Sequence, residues 1–243
     1  MKYTAVDTPA TVKLVRHSGD DKVVVDSARV SFASIDEMHE RVEGSNRECT
    51  ERDIRLIKYL AQHKHMSPFE HCHMTFWVEV PLYIARQHMR HRTWSYNEVS
   101  RRYTSEGLRI YEPSGYRPQA KKNKQGSYDK LENPTVYITQ GTIQAYVTNA
   151  TDIVRKTNKQ LVDTYHSLLE AGVCREQARG ILPQSLMTQY YATVNLRNLV
   201  AFIKERCGDD AQYEIRCLAR QMRDEALKIY PISTHHLFGV DNV

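Results

Sequence analysis

Between Cys72 and Val80, apolar residues fall on every second position: Cys72, Met74, Phe76, Val78 and Val80 alternate with His73, Thr75, Trp77 and Glu79. A period of two belongs to extended backbone with one face against a core. The run predicts a strand over His71–Val80. Such a strand needs paired neighbours and a cover, and the rest of the chain supplies mostly covers. Pro81 suits the first turn of a helix carrying Leu82, Ala85 and Met89. Thr50–Lys64 reads as a helix, with Ile54, Ile57 and Leu60 at helical spacing and Thr50 and Asp53 spaced as a capping box.

The remaining pattern is also helix-rich. Lys22–Phe32 reads as a short helix. Pro134–Ala171 reads as one long helix, with Ile143, Tyr146, Val147, Ala150, Val154, Leu161, Tyr165 and Leu168 on a stripe and Gly172 as its stop. Arg175–Leu182 is a short helix ended by Pro183, and Leu196–Arg206 and Ala211–Tyr230 are helices. Thr11–Arg16 and Thr188–Val194 read as strands. Tyr103–Asn133 is irregular, punctuated by Gly107, Pro113, Gly115, Pro118 and Gly126. Few strands scattered among many helices predict an α+β fold.

At 243 residues, 41% hydrophobic and 26% charged, the chain is long and apolar enough to bury a core without staples. Five cysteines, with no CxxC pair, fit reduced intracellular thiols. MKYTAVDTPA lacks the apolar run of a signal peptide, and no stretch nears the ~20 apolar residues of a membrane span. The expectation is a soluble cytoplasmic protein with no membrane partner.

The net charge of +5 is concentrated. Arg86, Arg90, Arg92, Arg101 and Arg102 against Glu98 give +4 over residues 86–103, and Arg117, Lys121, Lys122, Lys124 and Lys130 against Asp129 give +4 over 115–130. In the first cluster, Arg90–Tyr103 packs arginines, hydroxyls, an amide and a carboxylate around a single aliphatic residue, Val99. Arginine forks suit phosphates and planar imides. Ser95 and Glu98 have capping-box spacing, so a helix is expected to begin there, its positive end favouring an anion. The alternative is a charged surface helix laced with its own ion pairs.

The order of these residues, RHRTWSYNEVS, fits the pattern R-H-R-x7-S and resembles the signature of the flavin-dependent thymidylate synthases, the ThyX family. Other blocks are similar in order and spacing: Ala28–Phe32, His65–His71, Gln177–Arg179 with Leu182-Pro183, Asn195–Arg197, and Arg206 with Ala211-Gln212. The resemblance spans about residues 12–231 and implies one domain over 1–243, with a small, mainly antiparallel sheet, several long helices and a loop insertion near 115–130. It implies reductive methylation of dUMP to dTMP, with methylenetetrahydrofolate as carbon donor, FAD as hydride carrier, and NADPH as reductant. It implies dUMP contacts at Gln87, His88, Met89, Arg90, Glu98, Val99, Ser100, Arg101, Arg102, Arg179 and Arg206, with Arg206 catalytic in activating the uracil. FAD contacts are implied at Ser31, Ser67, Arg90, His91, Arg92, Glu98, Asn195, Leu196 and Arg197, and flavin or folate contacts at His65 and Tyr103. The family forms homotetramers. Two departures stand out: Asp210 where the family often has His, and Ala201 where it often has Asn.

His63, His65, His71 and His73 suggest metal ligands, but no cysteine or acid is spaced to complete a zinc set, so no metal is expected. His235-His236 reads as a solvated tail and Tyr190-Tyr191 as structural. A nucleic-acid-binding module would use both basic clusters with Trp94, Tyr96 and Tyr103 as stacking groups. That alternative accounts for the arginines but not for Glu98 or the distant blocks, so nucleic acid is not an expected partner.

Overall fold

The computed structural model describes residues 3–33, 37, 48–121, 126–128, 130–140 and 143–238. Lys122, Lys124 and Asp129 of the second basic cluster lie outside the described residues, as do the side chains of Phe32, Ile143 and Tyr146. In chain order the elements are β1 (Thr4–Val6), β2 (Thr11–Ser18), α1 (Asp21–Arg29), α2 (Glu51–Gln62), β3 (His73–Pro81), α3 (Leu82–His88), β4 (Ser95–Glu98) and β5 (Arg109–Tyr111). They continue with β6 (Thr135–Gln140), β7 (Ile143–Asn149), α4 (Ala150–Glu170), α5 (Arg175–Ala178), β8 (Met187–Asn195), α6 (Leu196–Arg206), α7 (Tyr213–Ile229) and α8 (Pro231–Phe238). Short 3-10 turns occupy Val30–Phe32, Ser67–His71 and Arg179–Ile181.

The architecture is α+β. The main sheet is antiparallel, in the order β2-β3-β8-β4. Its central strand is the alternating run with which the sequence announces itself. Met74, Phe76, Val78 and Val80 are fully buried and form the core face. The opposite face is less wet than the alternation suggests, because Thr75 and Glu79 are buried too. Thr75 shares a hydroxyl hydrogen bond with Thr193 at 2.9 Å, and Glu79 accepts from Gln189 at 2.9 Å and pairs with Arg109 at 3.2 Å.

Two helices cover the core face. Leu196, Leu199, Val200, Phe202 and Ile203 of α6 and Ile215, Leu218, Ala219, Met222 and Ala226 of α7 are buried against it. Each large side chain so buried contributes roughly 1.5–3 kcal/mol, which is what holds helices of this length. Asn195 caps α6, its side-chain oxygen accepting from the Asn198 N–H at 3.0 Å. Helix α2 begins with the expected capping box, and the buried Asp53 that completes it also pairs with Arg29 at 2.6 Å. A smaller core of Leu108, Ile110, Val162, Tyr165, Ala178, Leu182 and Leu186 joins α4 to the segment after β4.

Four expectations are corrected. Pro134–Ala171 is not one helix: Thr135–Gln140 and Ile143–Asn149 pair as an antiparallel hairpin, and the helix starts only at Ala150. Thr135, Val136, Ile138, Val147 and Thr148 are β-branched and favour extended backbone. Asn149 then caps α4 by accepting from the Asp152 N–H at 2.9 Å. The helix does stop at Gly172, whose φ of +89° is left-handed. Second, Ser95–Glu98 is a strand on the edge of β8 and not a helix start. Third, the irregular stretch from Tyr103 contains β5, which runs parallel to β1 in the register Thr4↔Arg109. Fourth, His235-His236 is not a tail but part of α8, which packs on α2, although His235 is exposed as a solvated side chain would be. Among the described residues no helix is long and apolar enough to cross a membrane.

Candidate active site

The signature segment lies between the end of α3 and the edge strand β4, and an aromatic box fixes it there. His88, the last residue of α3, is fully buried, and its Nδ1 lies 2.9 Å from the Tyr190 hydroxyl. The rings of Trp94, Phe202 and Tyr96 surround it at centroid distances of 4.6, 4.7 and 5.3 Å. Trp94 and Tyr96 are themselves nearly parallel, at 6°. The Tyr96 hydroxyl donates to the His88 carbonyl at 2.9 Å and lies 3.2 Å from that of His91. The chain turn that carries Arg90, His91 and Arg92 is thus pinned from below by packed rings and from the side by a shared hydroxyl.

Burial pushes the His88 imidazolium down to about 3, with the neighbouring His91 and Arg206 adding to the effect. The folded protein therefore keeps His88 neutral while an unfolded chain would charge it near 6.5. Between those values the unfolded state binds the extra proton, so stability is lost as pH falls through that window. Moving from pH 7 to pH 5 is expected to cost about 2 kcal/mol, read from denaturant midpoints, with a flatter slope in His88→Gln. Equal slopes in both proteins would remove His88 as the cause.

Above the box, Arg90 and Arg92 stand exposed, and among the described residues neither side chain has a hydrogen-bond or ion-pair partner. This is not the ion-paired surface helix that a charge run ordinarily makes. His91 is held from the other side: Arg206, at the end of α6, donates from Nε to His91 Nε2 at 3.3 Å, and its Nη2 pairs with Glu205 at 3.0 Å. Burial lowers the His91 pKa, opposed by Glu205 and assisted by Arg206, so the ring is neutral and able to accept. The Phe202 ring stands edge-on to His91 at 4.9 Å.

Glu98 ends β4 with its carboxylate accepting from the Thr188 hydroxyl at 2.5 Å. The chain then turns. The Ser100 hydroxyl accepts from the Arg102 N–H at 3.3 Å. Arg101 donates to the Glu106 carbonyl at 2.7 Å, while Arg102 pairs with Glu176 at 3.7 Å, one helical turn before Arg179. A third group forms where the Ser67–His71 turn meets the start of α6: Arg197 pairs with Glu70, and the Leu196 N–H donates to the Cys72 carbonyl at 2.8 Å.

Set beside known proteins, the chain matches the family model described as thymidylate synthase complementing protein over residues 13–232. It is 37% identical over 222 residues to the flavin-dependent thymidylate synthase of Thermus thermophilus, covering 91% of this chain and 73% of that protein. It is 36% identical over 216 residues to that of Thermosipho africanus, covering 89% and 85%. A solved UMP/dUMP methylase, PolB from Streptomyces cacaoi bound with 5-Br dUMP, superposes with a TM-score of 0.76 at 30% identity, covering 97% of each chain. The chain belongs to the flavin-dependent thymidylate synthases.

A flavin-dependent thymidylate synthase must present cations, hydroxyls and amides to phosphate-bearing ligands, and the donor set here has that chemistry. Arg90, Arg92 and Arg197 are exposed, as are Ser31 and Ser67. Of the residues the family resemblance implies, the folded chain joins Gln87, Arg90, His91 and Arg206 around the end of α3, and Ser67, Asn195 and Arg197 around the start of α6. It does not join His65 and Tyr103. His65 sits edge-on to Tyr59 at 5.9 Å, in an exposed cluster where Tyr59 also stacks on His63 at 4.0 Å, whereas Tyr103 projects from the turn after β4. The side chains of His88 and Leu196 face the core, so only their backbone can reach a ligand. Met89 packs on the same core, and Val99 is exposed. Ala201 and Asp210 are exposed on and just beyond α6, so packing requires neither of these departures.

Sequence reasoning missed three polar groups linked to Gln87. Gln87 donates from Nε2 to Gln212 Oε1 at 2.6 Å, and Gln212 Nε2 donates to the buried Glu214 at 2.9 Å. A signal was available: Glu214 is an acid on the apolar face of a helix, beside Ile215 and Leu218. Arg117 of the second basic cluster carried no such signal, yet its Nη2 pairs with Glu214 at 2.6 Å.

Proposed function

We propose that the protein methylates dUMP to dTMP, taking the carbon from methylenetetrahydrofolate and using FAD that NADPH reduces. The observation that carries this reading is the exposed Arg90-His91-Arg92 turn with Arg206 held against His91. The flavin, when bound, supplies the hydride. Every other task falls to the chain.

Gln87, Arg90, Ser100, Arg102 and Arg179 hold the nucleotide, together with the backbone of His88, Met89 and Val99, and Arg101 closes the same turn. Glu98, anchored by Thr188, serves both ligands. Ser31, Ser67, Arg90, His91, Arg92, Asn195, the Leu196 backbone and Arg197 hold FAD, while His65 and Tyr103 contact flavin or folate. Arg206 places a fixed cation against the uracil imide, where it stabilises the anionic form and makes C5 the nucleophile. The neutral His91 ring orients that cation without competing with it.

No protein nucleophile takes part. Burial pushes the Cys72 thiol up to about 12, and Cys207, although it follows Arg206, is half-buried and also raised by desolvation. Ser100 bonds the Arg102 N–H, a binding geometry for a turn hydroxyl.

We further infer a single domain over residues 1–243 that assembles as a homotetramer in the cytoplasm. Purified protein is expected to be yellow, with about one flavin per chain, to bleach on adding NADPH, and to convert dUMP with the folate to dTMP. Light scattering should give four chains per particle. A colourless protein that takes up no added FAD overturns the reading.

A further inference from the structure

We propose that Glu214, acting through Gln212, sets the hydrogen-bond polarity of Gln87 at the nucleotide site, and that Arg117, in the segment that follows β5, holds Glu214 for this task. The inference rests on the functional reading above and assigns positioning residues to it.

The geometry is a continuous chain of four side chains from three distant parts of the sequence. Arg117 Nη2 lies 2.6 Å from Glu214 Oε1, Gln212 Nε2 lies 2.9 Å from Glu214 Oε2, and Gln87 Nε2 lies 2.6 Å from Gln212 Oε1. Glu214 is 4% exposed, and the Arg117 guanidinium lies over the Tyr213 ring at 4.5 Å. The pair is therefore fixed on both sides, not a loose surface contact.

Chemistry gives this chain a direction. A carboxylate has no proton to donate, so it can only accept. Both Arg117 and the Gln212 amide must then present N–H groups to it. With its nitrogen committed to Glu214, Gln212 turns its oxygen to Gln87. Gln87 must answer with its own nitrogen, which leaves its carbonyl oxygen as the acceptor it offers. A deoxyuridine nucleotide held with its imide in the anionic form carries a donor for such an oxygen in its sugar hydroxyl, whereas its phosphate and its imide carry only acceptors. The charge of Glu214, two residues removed, thus spends one N–H of Gln87 on Gln212 and keeps its carbonyl oxygen free as an acceptor for the nucleotide. The same chain gives Arg117, in the basic cluster that the signature does not contain, a use: it keeps a buried carboxylate paired.

A purely structural role would also tie Arg117 to α7, so the test separates the two. Glu214→Gln keeps the shape and one acceptor for Arg117 but lets the amides invert. Gln212→Met breaks the chain at an exposed position where folding is not at stake. In the flavin-loaded protein, each is expected to weaken dUMP binding about tenfold, followed by the change in flavin absorbance, with kcat at saturating dUMP within about twofold and flavin content unchanged. The double variant should be no weaker than the weaker single one, since both cut one chain. Unchanged dUMP affinity in both single variants, or losses that multiply in the double, overturns the proposal while leaving the functional reading intact. Wild-type protein that binds no dUMP overturns the functional reading, and this inference with it.

Discussion

Arg206→Ala is expected to cut dTMP formation about a thousandfold while the flavin stays bound, because one charged donor aimed at developing negative charge is worth that much in a dry site. The structure explains why the loss should be selective. The Arg206 guanidinium is partly exposed at the end of α6, held by His91 at 3.3 Å and Glu205 at 3.0 Å, so its removal leaves no buried charge stranded. The helix itself is anchored by Phe202 and Ile203, which the substitution does not touch. Arg206→Lys should recover part of the rate: it keeps the cation but loses the planar fork that matches an imide. Single-turnover rates of dTMP formation, measured beside flavin absorbance, check both. Turnover equal to wild type in Arg206→Ala would remove Arg206 from the mechanism.

The second large effect is on stability. Phe202→Ala is expected to destabilise the fold by about 3–5 kcal/mol, the cost of emptying a fully buried aromatic site. In a chain of this size that lowers the thermal midpoint by roughly 10 °C. Phe202 is an informative choice because it touches His88 at 4.7 Å, Trp94 at 5.4 Å and His91 at 4.9 Å. The floor of the signature turn and the core are therefore one set of contacts. Phe202→Leu, which refills most of the space without the ring edge, should recover much of the stability. A fall of less than about 1 kcal/mol for Phe202→Ala in denaturant unfolding would show that the box collapses without cost.

What was readable in the sequence divides along physical lines. Cys72–Val80 alternates because one face of β3 is core, and Leu196–Arg206 repeats as a helix because one face of α6 is core; local pattern and tertiary burial agree in both. Pro134–Asn149 misled because a hairpin of β-branched residues also scatters apolar side chains at helix-like intervals, and only pairing across the turn distinguishes them. Ser95–Glu98 misled for a different reason. Its spacing suits a helix cap, but the free edge of β8 offers four residues of ladder, and long-range pairing overrode the local preference. The signature arginines were legible as a cluster, whereas the Gln87–Gln212–Glu214–Arg117 chain was not. It joins positions up to 125 residues apart, and no local period records such a meeting.

The pairing of β3 with β8 has a consequence for how the molecule is made. Thr75 and Thr193 bond across the centre of the sheet although 118 residues separate them. Contacts so far apart in sequence pay a large loop-closure cost before they return anything, and they slow folding. During synthesis, β3 and the arginine turn leave the ribosome long before their partners on β8, α6 and α7 exist. A nascent chain stopped between Tyr103 and Leu186 thus carries the whole signature, but with neither the strand that pairs with its edge nor the helix that brings Arg206 to His91. The partners that complete the arginine turn arrive late, with the last quarter of the chain.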